Sequence, residues 1–144
     1  MPKQDIYHDC VKNALAKEGW EITDDPLTIE FQDLRLYADL AAEKLFAAER
    51  NHRKIVVEIK SFTSPSLVSE LEKAVGQYNI YRGFLRRQHP EREIYLAVPQ
   101  QIYQGFFMRV SIQTIVQDQE IKLIVFNASS EEIVQWISEK SIGR

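Results

Sequence analysis

A chain of 144 residues, 44% hydrophobic and 27% charged, has the size and balance of one soluble globular domain with one core, and no run approaches the roughly 18 apolar residues of a membrane span. The formal net charge of -3 leaves no global basic field, so contact with phosphate has to come from local patches. One cysteine, Cys10, rules out an internal disulfide, and the opening Met1-Pro2-Lys3-Gln4-Asp5 lacks a signal-peptide core, which together predict a reducing, cytoplasmic setting.

Residues 3 to 18 place Ile6, Cys10, Val11, Ala14 and Leu15 at three- and four-residue steps, predicting a helix stopped by Gly19, with Cys10 buried in it. Trp20 to Thr23 reads as a short extended piece, broken by Asp24-Asp25-Pro26. Leu27 to Phe31 and Leu34 to Ala41 predict a hairpin turning at Gln32-Asp33. Lys44 to Glu49 fits a third strand better than a helix, before a turn at Arg50-Asn51-His52-Arg53. Lys54 to Phe62 is the clearest strand. A long helix follows to about Arg87, with either Ser64 or Ser66 as its N-cap. Glu91 to Val98 predicts a strand, Gln101 to Gln117 a helix and Ile121 to Phe126 a buried strand. Asn127 to Ser130 then turns the chain into a last strand, Ile133 to Ile137.

In the clearest strand, Glu58 and Lys60 share one face while Val57 and Ile59 point to the other. An acid within such an apolar stem is costly unless a partner or a metal compensates it. Asp39 lies upstream on a neighbouring strand, sharing a face with Arg35 and Tyr37. Two carboxylates can hold a hard cation such as Mg²⁺ or Mn²⁺, which polarises a phosphate and acidifies a bound water, and an ammonium two residues on can offset charge building on phosphorus. The plain alternative is an ion pair between Glu58 and Lys60, worth little if exposed. Chance alone predicts about one acid-x-Lys triplet in this composition. A second does occur, Glu120-Ile121-Lys122, but it opens an apolar run after polar residues and reads as the wet end of a strand.

Gln77 and Tyr81, four residues apart, stack on one face of the long helix, with Gln77 bordering the stripe Leu67, Leu71, Val75 and Tyr78. An amide there could hold a phosphate or orient Lys60. Arg82, Arg86 and Arg87 form one positive patch, and Arg50, His52, Arg53 and Lys54 another. They serve either as phosphate grips or, at the helix end, as complements to its dipole. His8, His52 and His89 lack the spacing of a zinc site. Asp5 or Asp9 is open as a third acid.

Several segments together resemble the XisH family, cyanobacterial factors controlling excision of the fdxN DNA element. They are Tyr7-His8 with Val11-Lys12-Asn13-Ala14-Leu15, Gly19-Trp20, Asp25-Pro26-Leu27-Thr28, Tyr37-Ala38-Asp39-Leu40, Val57-Glu58-Ile59-Lys60-Ser61-Phe62, Glu70-Leu71-Glu72-Lys73-Ala74 with Gly76-Gln77-Tyr78, Tyr95-Leu96-Ala97-Val98-Pro99, and Glu132-Ile133-Val134-Gln135-Trp136. The resemblance implies one α/β domain over residues 1–144 with a PD-(D/E)xK restriction endonuclease-like core, a mixed central β-sheet flanked by helices. It implies Asp39 and Glu58 as metal-binding acids, Lys60 as the catalytic lysine, and Gln77 with Tyr81 as a Gln-x-x-x-Tyr signature. An endonuclease site would add the Ile59 carbonyl as a further metal ligand and Tyr81, Arg82 and Arg86 as substrate contacts. Ala38 departs from the proline that names the motif. Two functions follow: a Mg²⁺- or Mn²⁺-dependent DNA endonuclease, or a catalytically silent accessory factor that binds DNA or a partner and steers a separate recombinase. A second excision controlling protein is the expected partner, and a homodimer would set two sites against two strands. The bland third reading is a structural α/β domain.

Overall fold

The computed structural model describes residues 5–46 and 51–138. Helix α1 (His8–Lys17) buries Cys10, Val11, Ala14 and Leu15, as its periodicity requires, but starts later than the apolar spacing suggests. Residues 5–7 form a turn instead, in which Asp5 accepts the Tyr7 N–H at 2.9 Å, and residues 3 and 4 of the expected helix lie outside the described residues.

Six strands form the main sheet in the order β1 (Glu21–Asp24), β4 (Leu40–Phe46), β5 (Asn51–Ile59), β6 (Arg92–Pro99), β7 (Leu123–Asn127), β8 (Glu132–Ile137). Strands β5, β6 and β7 run parallel, and the outer pairings are antiparallel, so the sheet is mixed. The parallel strands are joined by crossovers: α2 (Leu67–Gln88) between β5 and β6, then α3 (Gln100–Gln104), a 3₁₀ turn (Phe106–Met108) and α4 (Val110–Asp118) between β6 and β7. On one face, Val56, Leu96, Val98, Leu123 and Val125 pack against α2, α4 and the β2–β3 hairpin (Leu27–Phe31 and Leu34–Ala38). On the other, Leu40, Ile55, Val57, Ile59 and Ala97 pack against α1. No helix among the described residues is long and apolar enough to cross a membrane.

Other expectations change as well, among them the strand expected over Lys54 to Phe62, which ends at Ile59. Leu34 to Ala41 is not one strand. The hairpin ends at Ala38, Asp39 breaks the ladder, and β4 enters the main sheet with Leu40 opposite Val57. Lys44 to Glu49 is not a strand of its own either. Its first residues close β4, positions 47–50 lie outside the described residues, and β5 already begins at Asn51 where a turn is expected. The helix expected over Gln101 to Gln117 is interrupted at Gly105, where the chain kinks to bury Phe106 and Phe107 against Phe62. Ring burial there outweighs continuation of the helical ladder.

Candidate active site

Strand β5 carries Glu58 to the edge of the sheet where β5 and β6 end, on the face that meets α2. The period of two decides this: Val57 and Ile59 bury against α1, and Glu58 faces the other way. It does so without reaching water, being 6% exposed. Asp39 arrives from the opposite direction, at the crossing between the hairpin and β4. Two reciprocal bonds tie the segments: the Ile59 N–H donates to Asp39 Oδ2 at 2.7 Å, and the Asp39 N–H donates to Glu58 Oε1 at 3.3 Å. Each carboxylate therefore gives one oxygen to a backbone donor and keeps the other, Oδ1 or Oε2, free among the described residues.

Burial, then the Asp39 charge, push Glu58 up to about 8, against the opposing effects of Lys60 and the Asp39 N–H. The reciprocal backbone bonds hold the two carboxyl groups side by side. Burial likewise raises Asp39, offset by the Ile59 N–H, His8 and Lys60. Two acids held this close in a dry setting favour one proton between them, or a cation. The simple alternative of a Glu58–Lys60 ion pair does not form: among the described residues neither group has an ion-pair partner.

These acids line a cavity of about 470 Å³ together with Asp5, Arg35, Ile59, Lys60, Gln77 and Tyr81. Gln77 leaves its Oε1 buried with no hydrogen-bond partner among the described residues, an unusual cost for a helix amide. Tyr81 donates its hydroxyl to the Tyr37 carbonyl at 3.3 Å, so it fastens the end of the hairpin just before Asp39. Burial and the two acids push that phenol up to about 12, keeping it a neutral donor. Between the two acids left open on the first helix, the cavity takes Asp5, which anchors the Ser61 N–H at 3.1 Å, and Asp9 is exposed outside it.

Arg82 and Arg86 are not brought to this cavity. They line a second one, of about 270 Å³, beside Arg92, Glu93 and Lys122, and Arg82 is committed to the carbonyls of Gln119 and Glu120. In the other basic patch, Arg53 pairs with Glu93 and Arg50 lies outside the described residues.

Sequence reasoning missed two supports. His8, 3% exposed, bonds through Nε2 to Asp25 at 2.6 Å and is one of the groups that hold the Asp39 carboxyl down against its burial. Its signal was a histidine on the apolar face of α1. Glu70 accepts the N–H groups of Phe62 at 2.9 Å and Ser64 at 3.0 Å, fixing the chain just after Lys60. An acid in the first turn of a long helix was its signal.

A family profile described as XisH protein matches residues 1–134. The chain is 42% identical to a crystallised XisH family protein from Nostoc punctiforme, with a TM-score of 0.84 over 93% of this chain and 100% of that one. It is 43% identical to a crystallised fdxN element excision controlling factor protein from Anabaena variabilis, with a TM-score of 0.85 over 94% of this chain and 100% of that one. No curated protein matches it.

Proposed function

This chain belongs to the XisH family, and from that premise we propose that it controls excision of a DNA element through a PD-(D/E)xK-type, metal-dependent phosphodiester-hydrolysing site. The observation that carries the chemistry is the Asp39–Glu58 pair: one buried and one half-buried carboxyl group tied together by reciprocal backbone bonds, lining one cavity with a lysine that has no ion-pair partner among the described residues. A structural core gains nothing from burying two acids side by side.

The donor set fits a hard divalent cation. Asp39 Oδ1 and Glu58 Oε2 are the oxygens the backbone leaves free, and the Ile59 carbonyl is the third protein donor in this reading. A bound Mg²⁺ or Mn²⁺ would supply phosphate polarisation and an acidified water. Lys60 offsets negative charge as it builds on phosphorus, and the Gln77 amide, lacking a protein partner for its oxygen, orients either Lys60 or the water. Tyr81 holds Tyr37 and so aims Asp39, rather than touching substrate. The expected outcome is cleavage of plasmid, nicked or branched DNA with Mn²⁺ or Mg²⁺, reduced at least about 100-fold by Lys60→Ala. Equal cutting by wild type and variant would remove the hydrolytic reading.

One observation favours a second reading. Among the described residues no three His, Cys, Asp or Glu side chains converge into a metal cage, which suits a silent accessory factor that binds DNA or a second controlling protein and steers a recombinase. Excision retained in cells carrying Asp39→Ala with Glu58→Ala selects this reading; excision lost with a normally folded protein selects hydrolysis.

A further inference from the structure

Lys60 belongs to two cavities at once. Besides the carboxylate cavity it lines a neighbouring one of about 290 Å³, whose other walls are Thr63, Ser64, Ser69, Glu70 and Lys73. Its chemistry is the reverse of the first: two ammonium groups and three hydroxyls. Among the described residues neither Lys60 nor Lys73 has an ion-pair partner.

The acid in this cavity is already spent. Glu70 turns both oxygens to backbone, one to the Phe62 N–H and one to the Ser64 N–H. The start of α2 is satisfied too, since Ser66 Oγ accepts the Ser69 N–H at 3.2 Å, so the cavity does not depend on free helix donors. The hydroxyl protons remain. Ser69 Oγ accepts from Ser66 Oγ at 3.0 Å and Ser64 Oγ accepts the Ser66 N–H at 3.3 Å, and each keeps its own proton to donate. A pocket offering donor hydroxyls and two cations without ion-pair partners among the described residues, with both oxygens of its one carboxylate turned to backbone N–H groups, suits a tetrahedral anion.

We infer that this cavity binds a DNA backbone phosphate adjacent to the one held at Asp39 and Glu58, with Lys60 touching both and Lys73 holding only the second. The inference rests on the DNA-directed reading of the carboxylate site and gives that site a direction: the strand leaves it over the β5–α2 loop. Neighbouring phosphodiesters are joined through one sugar, which suits two cavities sharing one side chain.

The test is the salt dependence of binding to a short DNA duplex without divalent metal, for wild type, Lys73→Ala, Lys73→Glu and Lys17→Ala, a lysine of α1 remote from both cavities. Loss of one phosphate contact lowers the slope of log affinity against log salt by about 0.9. Lys73→Ala should show that change with about three- to tenfold weaker binding, Lys73→Glu a larger loss, and Lys17→Ala neither. Both Lys73 variants replace an exposed helix residue, and an unchanged thermal midpoint checks their folding. Wild-type binding with an unaltered slope for Lys73→Ala and Lys73→Glu overturns the second phosphate site alone. Absence of wild-type binding sinks the DNA-directed reading itself and this inference with it.

Discussion

Glu58 has to be taken out of water by the strand that carries it, and among the described residues the molecule answers with one backbone N–H and the charge of Lys60. The consequence is a pH dependence with a definite sign. The folded protein holds the Glu58 proton more tightly than the unfolded chain does, so this group's stabilising effect is complete below the ordinary carboxylate value of 4.5. It is lost as pH rises towards about 8. The thermal midpoint of the metal-free protein should therefore fall between about pH 5 and about pH 8. Glu58→Gln should flatten that fall and stabilise the protein by about 1–3 kcal/mol at the alkaline end, and by less at the acid end, as read by urea denaturation at both pH values. A Glu58→Gln protein that keeps the wild-type slope would place the linked proton on another group.

At the scale of elements, the loop between β5 and α2 sets where Lys60 points. Phe62 sits at φ 56°, a left-handed conformation that a bulky side chain rarely adopts, and its ring packs against Phe106 and Phe107. The strand expected to run to Phe62 stops at Ile59 because this bend intervenes. Glu70 holds the bend from the first turn of α2. Removing its carboxylate in Glu70→Ala leaves two N–H groups without their partner and should cost about 1–3 kcal/mol in chemical denaturation. Glu70→Gln keeps one acceptor oxygen and should recover part of that loss. No change in either variant would mean that ring packing alone maintains the bend.

Across the whole molecule, Tyr78 is the side chain that joins layers. Fully buried on α2, it donates its hydroxyl to the Ile94 carbonyl of β6 at 3.1 Å and accepts the Lys122 N–H at the start of β7 at 3.0 Å. Tyr78→Phe preserves the ring and strands both backbone groups, so urea denaturation should show a loss of about 1–3 kcal/mol. The sequence by itself determined what local periodicity encodes: α1 and α2, the strands β5 to β8, and the facing of Glu58 away from Val57 and Ile59. Those features follow from steps of two and of 3.6 residues, which need no distant partner. It did not determine that the chain leaves the hairpin at Asp39, that the helix after β6 breaks at Gly105, that Asp5 rather than Asp9 reaches the cavity, or that Arg82 turns away from it. Each of these is settled between segments far apart in sequence, by a carboxylate meeting the Ile59 N–H, by aromatic rings closing over Phe62, by the Ser61 N–H, and by the carbonyls ahead of β7. Only the packed tertiary structure brings those partners together, because a buried polar group or ring takes the conformation that satisfies it even where the local pattern favours another.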